Sequence, residues 1–182
     1  LYQQDPKPSE GNVFKDNWFR PLIPRAGVEM VRVVRYWDLA MSEKASADYT
    51  VGIKLGLGTD ELYYLLDVVR FRKDWAEVPS LIRRTILDDG EGCEQGLEKK
   101  GYMSRAIKDL NRDPKLRSFQ VWGYDVDTDK FTRALPLAAK LAAGVIRVLD
   151  ARWTNDLIEE MKVFPNGAHD DQVDAFSGAW EM

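Results

Sequence analysis

Three β-branched and aromatic runs crowd into residues 30–70, and the links between them are short. Met30 to Trp37, Thr50 to Leu57 and Leu62 to Arg70 each carry the Val, Ile, Leu, Tyr and Trp content of strands. Gly58-Thr59-Asp60-Glu61 is the turn between the second and third. Consecutive strands joined this closely pair as an antiparallel meander, because a parallel neighbour needs a longer crossover. Any fold for this chain must be built around that meander.

After residue 70 the pattern alternates. Trp75, Val78, Leu81, Ile82 and Ile86 repeat at three and four, predicting a helix with Asp74 as its cap. Leu87 to Gly96 is too polar for a buried strand, although the topology wants a strand nearby. A helix is expected over 102–112, a strand over 119–124 and a helix over 131–143, which ends at Gly144 and tolerates Pro136 near its start. A strand over 145–149 follows, then a helix capped by Thr154, then a last helix carrying Val173, Phe176 and Trp180. The order β-β-β-α-(β)-α-β-α-β-α-α is that of an α/β protein: a mixed sheet with helices on its faces.

The 182 residues suffice for one domain with a good core. Residues 1–30 are punctuated by Pro and Gly without a clear apolar period and read as an extended arm or a linker from a preceding domain; residues 31–182 form the domain proper. The polar start lacks an initiator Met and reads as a cut from a longer chain. No apolar run approaches the roughly 20 residues that span a membrane. A single cysteine, Cys93, excludes an intramolecular disulfide and a Cys-based zinc site, and one histidine argues against a His-rich one. A metal here would be held by oxygen, which points to Mg²⁺, Mn²⁺ or Ca²⁺. The net charge of −4 argues against tight nucleic-acid binding by a global field, while 26 Lys and Arg leave room for a local basic face.

The densest chemistry lies near the end. Pro165-Asn166-Gly167 turns into His169-Asp170-Asp171-Gln172-Val173-Asp174, so three carboxylates and the histidine fall within six residues. Asp170 and Asp174 share a helix face. Acids suit a helix start, so capping explains one of them. Three so close repel and suggest a neutralising cation. Asp38, at the carboxyl end of the first strand, projects where open α/β sheets place ligands. Glu94 offers a third carboxylate from mid-chain, with a solvated loop acid as its plain alternative. Acids from distant segments are what a two-metal phosphoryl-transfer site needs.

In this order, Tyr36-Trp37-Asp38-Leu39-Ala40, Asp48-Tyr49-Thr50-Val51-Gly52, Thr128-Asp129-Lys130-Phe131-Thr132-Arg133-Ala134, Ala143-Gly144-Val145 and Phe164-Pro165 through Asp174-Ala175 are specific. With Tyr2 to Pro6 they resemble the C-terminal nuclease domain of the large terminase subunit, the DNA-packaging motor of tailed bacteriophages. The resemblance covers nearly the whole chain. It implies a ribonuclease H-like fold and a metal-dependent endonuclease cutting concatemeric double-stranded DNA at the start and end of packaging, with Mg²⁺ or Mn²⁺, two ions when DNA is bound. It implies Asp38, Glu94 (or Glu91 in its place) and Asp171 as the acids, Asp170 as a close neighbour and further ligand, and Lys130 beside the metals. Asp174, Asp48 and His169 are implied as secondary groups, and Arg133 shares the phosphate-holding task of Lys130. It further implies an ATPase domain in the same full-length chain, portal and small-subunit partners, no membrane, and a place in the host cytoplasm at the procapsid. The competing readings are another ribonuclease H-like nuclease, such as a resolvase, and a non-catalytic docking module whose acids are helix caps. No Walker A motif is present, so this segment is not itself the ATPase.

Overall fold

The computed structural model describes residues 12–40, 49–99 and 103–182, without the side chain of Met103. Met30–Asp38 (β1), Thr50–Gly58 (β2) and Tyr63–Phe71 (β3) form the expected antiparallel meander. Val78–Asp89 (α1) then crosses to Cys93–Glu98 (β4), which lies parallel to β1. Met103–Arg112 (α2) leads to Val121–Tyr124 (β5), parallel to β4. Lys130–Ala142 (α3) leads to Ile146–Val148 (β6), parallel to β3. Thr154–Val163 (α4) and Asp171–Glu181 (α5) complete the order. The six strands make one mixed sheet, β5-β4-β1-β2-β3-β6.

Each face of the sheet carries its own core, as the two-residue period of a strand requires. Val34 and Tyr36 of β1 point to one side, where Leu137 of α3, Ile158 of α4 and Phe176 of α5 pack. Trp37 and Leu39 are buried on the other, with Ile82 and Ile86 of α1 and Leu110 of α2. The described part of the N-terminal arm belongs to the first core: Phe14 and Phe19 are buried, and the Val13 N–H donates to the Phe164 carbonyl at 3.1 Å.

The polar stretch 87–96 is where the structure departs furthest from the sequence reading. α1 continues through Asp89, and Cys93 to Glu98 is a central strand despite its polarity. The polar groups there are satisfied rather than solvated. Arg35, 1% exposed, lies between Asp89 (2.6 Å) and Asp67 (2.6 Å). Gln95 donates to Asp89 at 3.0 Å and accepts from the Trp37 indole at 2.9 Å. Lys54 reaches Asp89 at 3.0 Å. The network ties the end of α1 to the centre of the sheet, and every member keeps a partner.

Local signals elsewhere shifted by a turn or less. Asp74 does not cap α1 through its side chain; Glu77 is the N-cap and Asp74 lends only its carbonyl. Thr154 is the first residue of α4, its hydroxyl bonded to the Leu149 carbonyl at 2.6 Å, and Trp153 is the N-cap. Gly144 follows α3 at φ 71, the left-handed turn expected of it. α5 lies close on β1 because Gly178 faces the Tyr36 ring, and a Cβ there would overlap that ring.

Two stability predictions follow from this packing. Gly178→Ala lowers unfolding stability by about 1–3 kcal/mol through overpacking. Asp89→Ala strands Arg35 in the core and costs about 3 kcal/mol, the lower end for a broken buried pair because Asp67 remains. Urea denaturation measures both.

Candidate active site

Asp38 ends β1 opposite Val51 of β2. On its other side β4 runs parallel, with Trp37 paired to Leu97. The next residues, Asp38 and Glu98, therefore leave neighbouring strands side by side, with backbones about 4.8 Å apart. They open into a cleft of about 380 Å³ that Lys130, Arg133, Asp174 and the 126–129 segment complete. α5, anchored by its apolar stripe, brings its first turn to the same edge: the side chains of Asp171 and Asp174 are 14% and 10% exposed.

Lys130 is held at the cleft by the start of α3. Asp129 caps that helix, its carboxylate accepting from the Thr132 N–H at 3.0 Å. The Lys130 ammonium then lies 2.8 Å from Asp170 and 2.6 Å from Asp174. Burial works against its charge, but these two hydrogen bonds outweigh burial and raise its pKa. Burial likewise lifts Asp174, with Lys130 pulling the other way. Asp38 is pushed well above the ordinary carboxylate range, first by burial and then by the Asp174 and Asp171 carboxylates, with Lys130 opposing and Glu98 adding. Three other acids, Asp174, Asp171 and Glu98, thus act on Asp38 as like charges do when they share a site.

The sequence candidates fall into three groups. Asp38, Asp170, Asp171, Asp174 and Lys130 are brought together. Glu94 is not: it forms a two-pronged pair with Arg32 at 2.9 Å on both oxygens, which holds its carboxyl below the usual range. It lies four residues back along β4, roughly 13 Å from the strand end. Glu91 sits further off, accepting from the Ser118 hydroxyl at 2.6 Å. Glu98 stands where the middle acid was expected. The signal that could have found it is the run Glu98-Lys99-Lys100-Gly101, the break that ends the strand. Arg133 lines the cleft but is 6% exposed and paired with Glu181 at 3.0 Å, so its charge is already committed. His169 packs edge-on against Tyr49 and lies 3.9 Å from Asp171. Asp48 lies outside the described residues.

Capping does not explain the acids of α5. Asp170 occupies the N-cap position, yet its side chain makes no cap hydrogen bond and turns to Lys130 instead. One oxygen of Asp174 is buried without a hydrogen-bond partner among the described residues. Among those residues no three acidic, histidine or cysteine groups converge tightly on one point. The donor set still fits a hard divalent cation: all oxygen, mutually repelling, with one buried carboxylate oxygen of Asp174 left without a hydrogen-bond partner among the described residues.

The raised pKa of Asp38 fixes a sign. The folded chain binds this proton more tightly than the unfolded chain does, so the stability it carries is present below the ordinary pKa of 3.8 and is lost as pH rises through the folded value. In EDTA, Asp38→Asn raises the melting temperature at pH 7–8, and the gain shrinks to nothing as pH falls toward 4. A melting series across pH checks both halves.

No curated protein sequence matches the chain. The family model described as the terminase RNaseH-like domain matches residues 35–182. Among solved structures, the large terminase nuclease of thermophilic phage G20c superposes with a TM-score of 0.65 at 16% identity, covering 95% of this chain and 99% of that one. The same nuclease with bound magnesium gives 0.67 at 16% identity, covering 96% and 99%. The human cytomegalovirus terminase nuclease domain, manganese-soaked with an inhibitor bound, gives 0.71 at 13% identity, covering 93% and 94%. The six-stranded mixed sheet flanked by helices is thus the ribonuclease H-like fold of terminase nucleases, and the chain belongs to the terminase RNaseH-like domain family.

Proposed function

We propose that this chain is a metal-dependent endonuclease that cuts concatemeric viral double-stranded DNA at the start and end of genome packaging, by two-metal-ion hydrolysis. The observation that carries the reading is the position of Asp38 and Glu98, each one residue beyond the Trp37–Leu97 pair at the ends of adjacent parallel strands, with the Asp171 and Asp174 carboxylates of α5 acting on Asp38. Asp38, Glu98, Asp171 and Asp174 would hold the ions, with Asp170 at the rim. Bound there, Mg²⁺ or Mn²⁺ would activate a water and stabilise the leaving oxygen. The magnesium of the G20c structure and the manganese of the cytomegalovirus structure are in keeping with an oxygen-only donor set.

The protein's own groups have separate tasks in this reading. Lys130 balances Asp170 and Asp174 and is the cation of the cleft best placed for a phosphate oxygen. Arg133 and Glu181 tie α3 to the end of α5, so the two helices that carry Lys130 and the last acids keep their spacing. The acidic net charge of −4 suits a domain to which DNA is delivered at high effective concentration by an ATPase domain of the same full-length chain. Portal and small terminase subunit would be its partners, at the procapsid in the host cytoplasm. Among the described residues no helix is long and apolar enough to cross a membrane.

Plasmid cleavage tests the reading. Cutting is expected with Mg²⁺ or Mn²⁺ and not with Ca²⁺ or EDTA. Asp38→Asn, Glu98→Gln and Asp171→Asn each lower the rate by more than the roughly 10–100-fold typical of groups outside the metal's own ligand set. Glu94→Gln leaves cutting near wild type and, as one half of a surface pair, changes stability by about 1 kcal/mol at most. Cutting that survives Asp38→Asn and Glu98→Gln together would sink the assignment.

A further inference from the structure

Beside Asp171, on the side of the site away from β4, lies a cationic and aromatic group separate from the carboxylate cleft. Tyr49 immediately precedes β2, where Thr50 pairs with Phe71 of β3. Arg70 near the end of β3 and Arg72 just beyond it both place their guanidinium groups over the Tyr49 ring, at 3.7 and 4.0 Å from its centroid. Arg70 is neutralised by Glu160 at 3.1 Å. Arg72 pairs with no carboxylate among the described residues. Its one polar contact there is with Nε2 of His169, at 3.4 Å, and its Nε is buried without an acceptor. His169 packs edge-on against Tyr49 at 5.4 Å, and its other ring nitrogen lies 3.9 Å from Asp171. One imidazole therefore separates the Arg72 guanidinium from an acid of the proposed metal site.

A packed arginine on a tyrosine is common, and stacking alone would need no ligand. Here the guanidinium is partly exposed, has no carboxylate partner among the described residues and lies over the Tyr49 ring next to a site that would receive a polyanion. Stacking fixes its plane in advance, which lowers the ordering cost of a two-pronged contact with phosphate oxygens. We infer that Arg72, oriented by Tyr49, is a DNA-positioning residue that holds a backbone phosphate of the cut strand next to the scissile one. The contact is to phosphate, so it sets where the strand lies and not which sequence is cut. The inference rests on the nuclease reading of the carboxylate cleft.

The test is the rate of cutting of a linear duplex by the 182-residue chain in Mn²⁺, over a range of DNA and salt concentrations. For Arg72→Gln, kcat/KM falls about 10-fold, as for one lost charge-assisted contact, while kcat at saturating DNA stays within about twofold. The slope of log kcat/KM against log salt becomes shallower by about one. Arg72→Lys restores the slope and only part of kcat/KM. Tyr49→Leu keeps the charge and lowers kcat/KM with the slope unchanged, and serves if Arg72→Gln does not fold. Wild-type kcat/KM and slope in Arg72→Gln, or in Tyr49→Leu a wild-type kcat/KM, overturns the inference and leaves the nuclease reading standing. A loss confined to kcat overturns it too, since Arg72 would then act on Asp171 through His169. A wild-type chain that cuts nothing in Mg²⁺ or Mn²⁺, with Asp38→Asn indistinguishable from it, sinks the nuclease reading and this inference with it.

Discussion

The parallel pairing of β1 with β4 is the constraint on which the rest of the site depends. It puts two carboxylates side by side, and like charges so placed separate unless the backbone forbids it. The sheet limits this: the backbones of Asp38 and Glu98 can move apart only by breaking central strand pairs. α5 then adds Asp171 and Asp174 to the same edge, and their repulsion adds to the effect of burial in lifting the pKa of Asp38. Lys130 is the one cation among the groups acting on Asp38 that opposes this.

Holding charges together in this way requires a stiff support. The Arg35 network supplies one on the far face, where it locks α1, β1, β3 and β4 through shared partners. On the near face, the close approach of Gly178 to Tyr36 seats α5 firmly enough to aim its first turn. Stability elsewhere in the molecule is therefore spent on strain at one edge, the usual arrangement for a preorganised site.

Much of this was legible in the sequence. The meander was readable because β-branched residues and a short turn leave few alternatives, and the helices because their apolar stripes repeat at three and four. The acids of α5 stood out by density alone. The middle acid did not. β4 carries Glu94, Gln95 and Glu98 in six residues; Glu94 pairs with Arg32, and the buried Gln95 is satisfied by Asp89 and Trp37, all from two other elements. A strand stabilised by distant partners has no hydrophobic period to set its register. Without a register, the sequence reading turned to Glu94 and Glu91 and passed over Glu98. The Arg72–Tyr49 group was hidden for a similar reason: its members are ordinary residues until β2 and β3 pair.

The site also has an order of assembly. Asp38 lies on the first strand and Asp171 on the last helix, more than a hundred residues later in the chain. During synthesis the sheet can begin to form while the acids of α5 are still unmade, and at that stage the cleft holds only half of its carboxylates. α5 is also a wall of the main core, so the step that completes the acid cluster is the step that closes the fold. A chain caught partway has neither. The long sequence separation between Asp38 and Asp171 thus makes the acid cluster a product of tertiary packing, complete only once α5 has docked on the sheet.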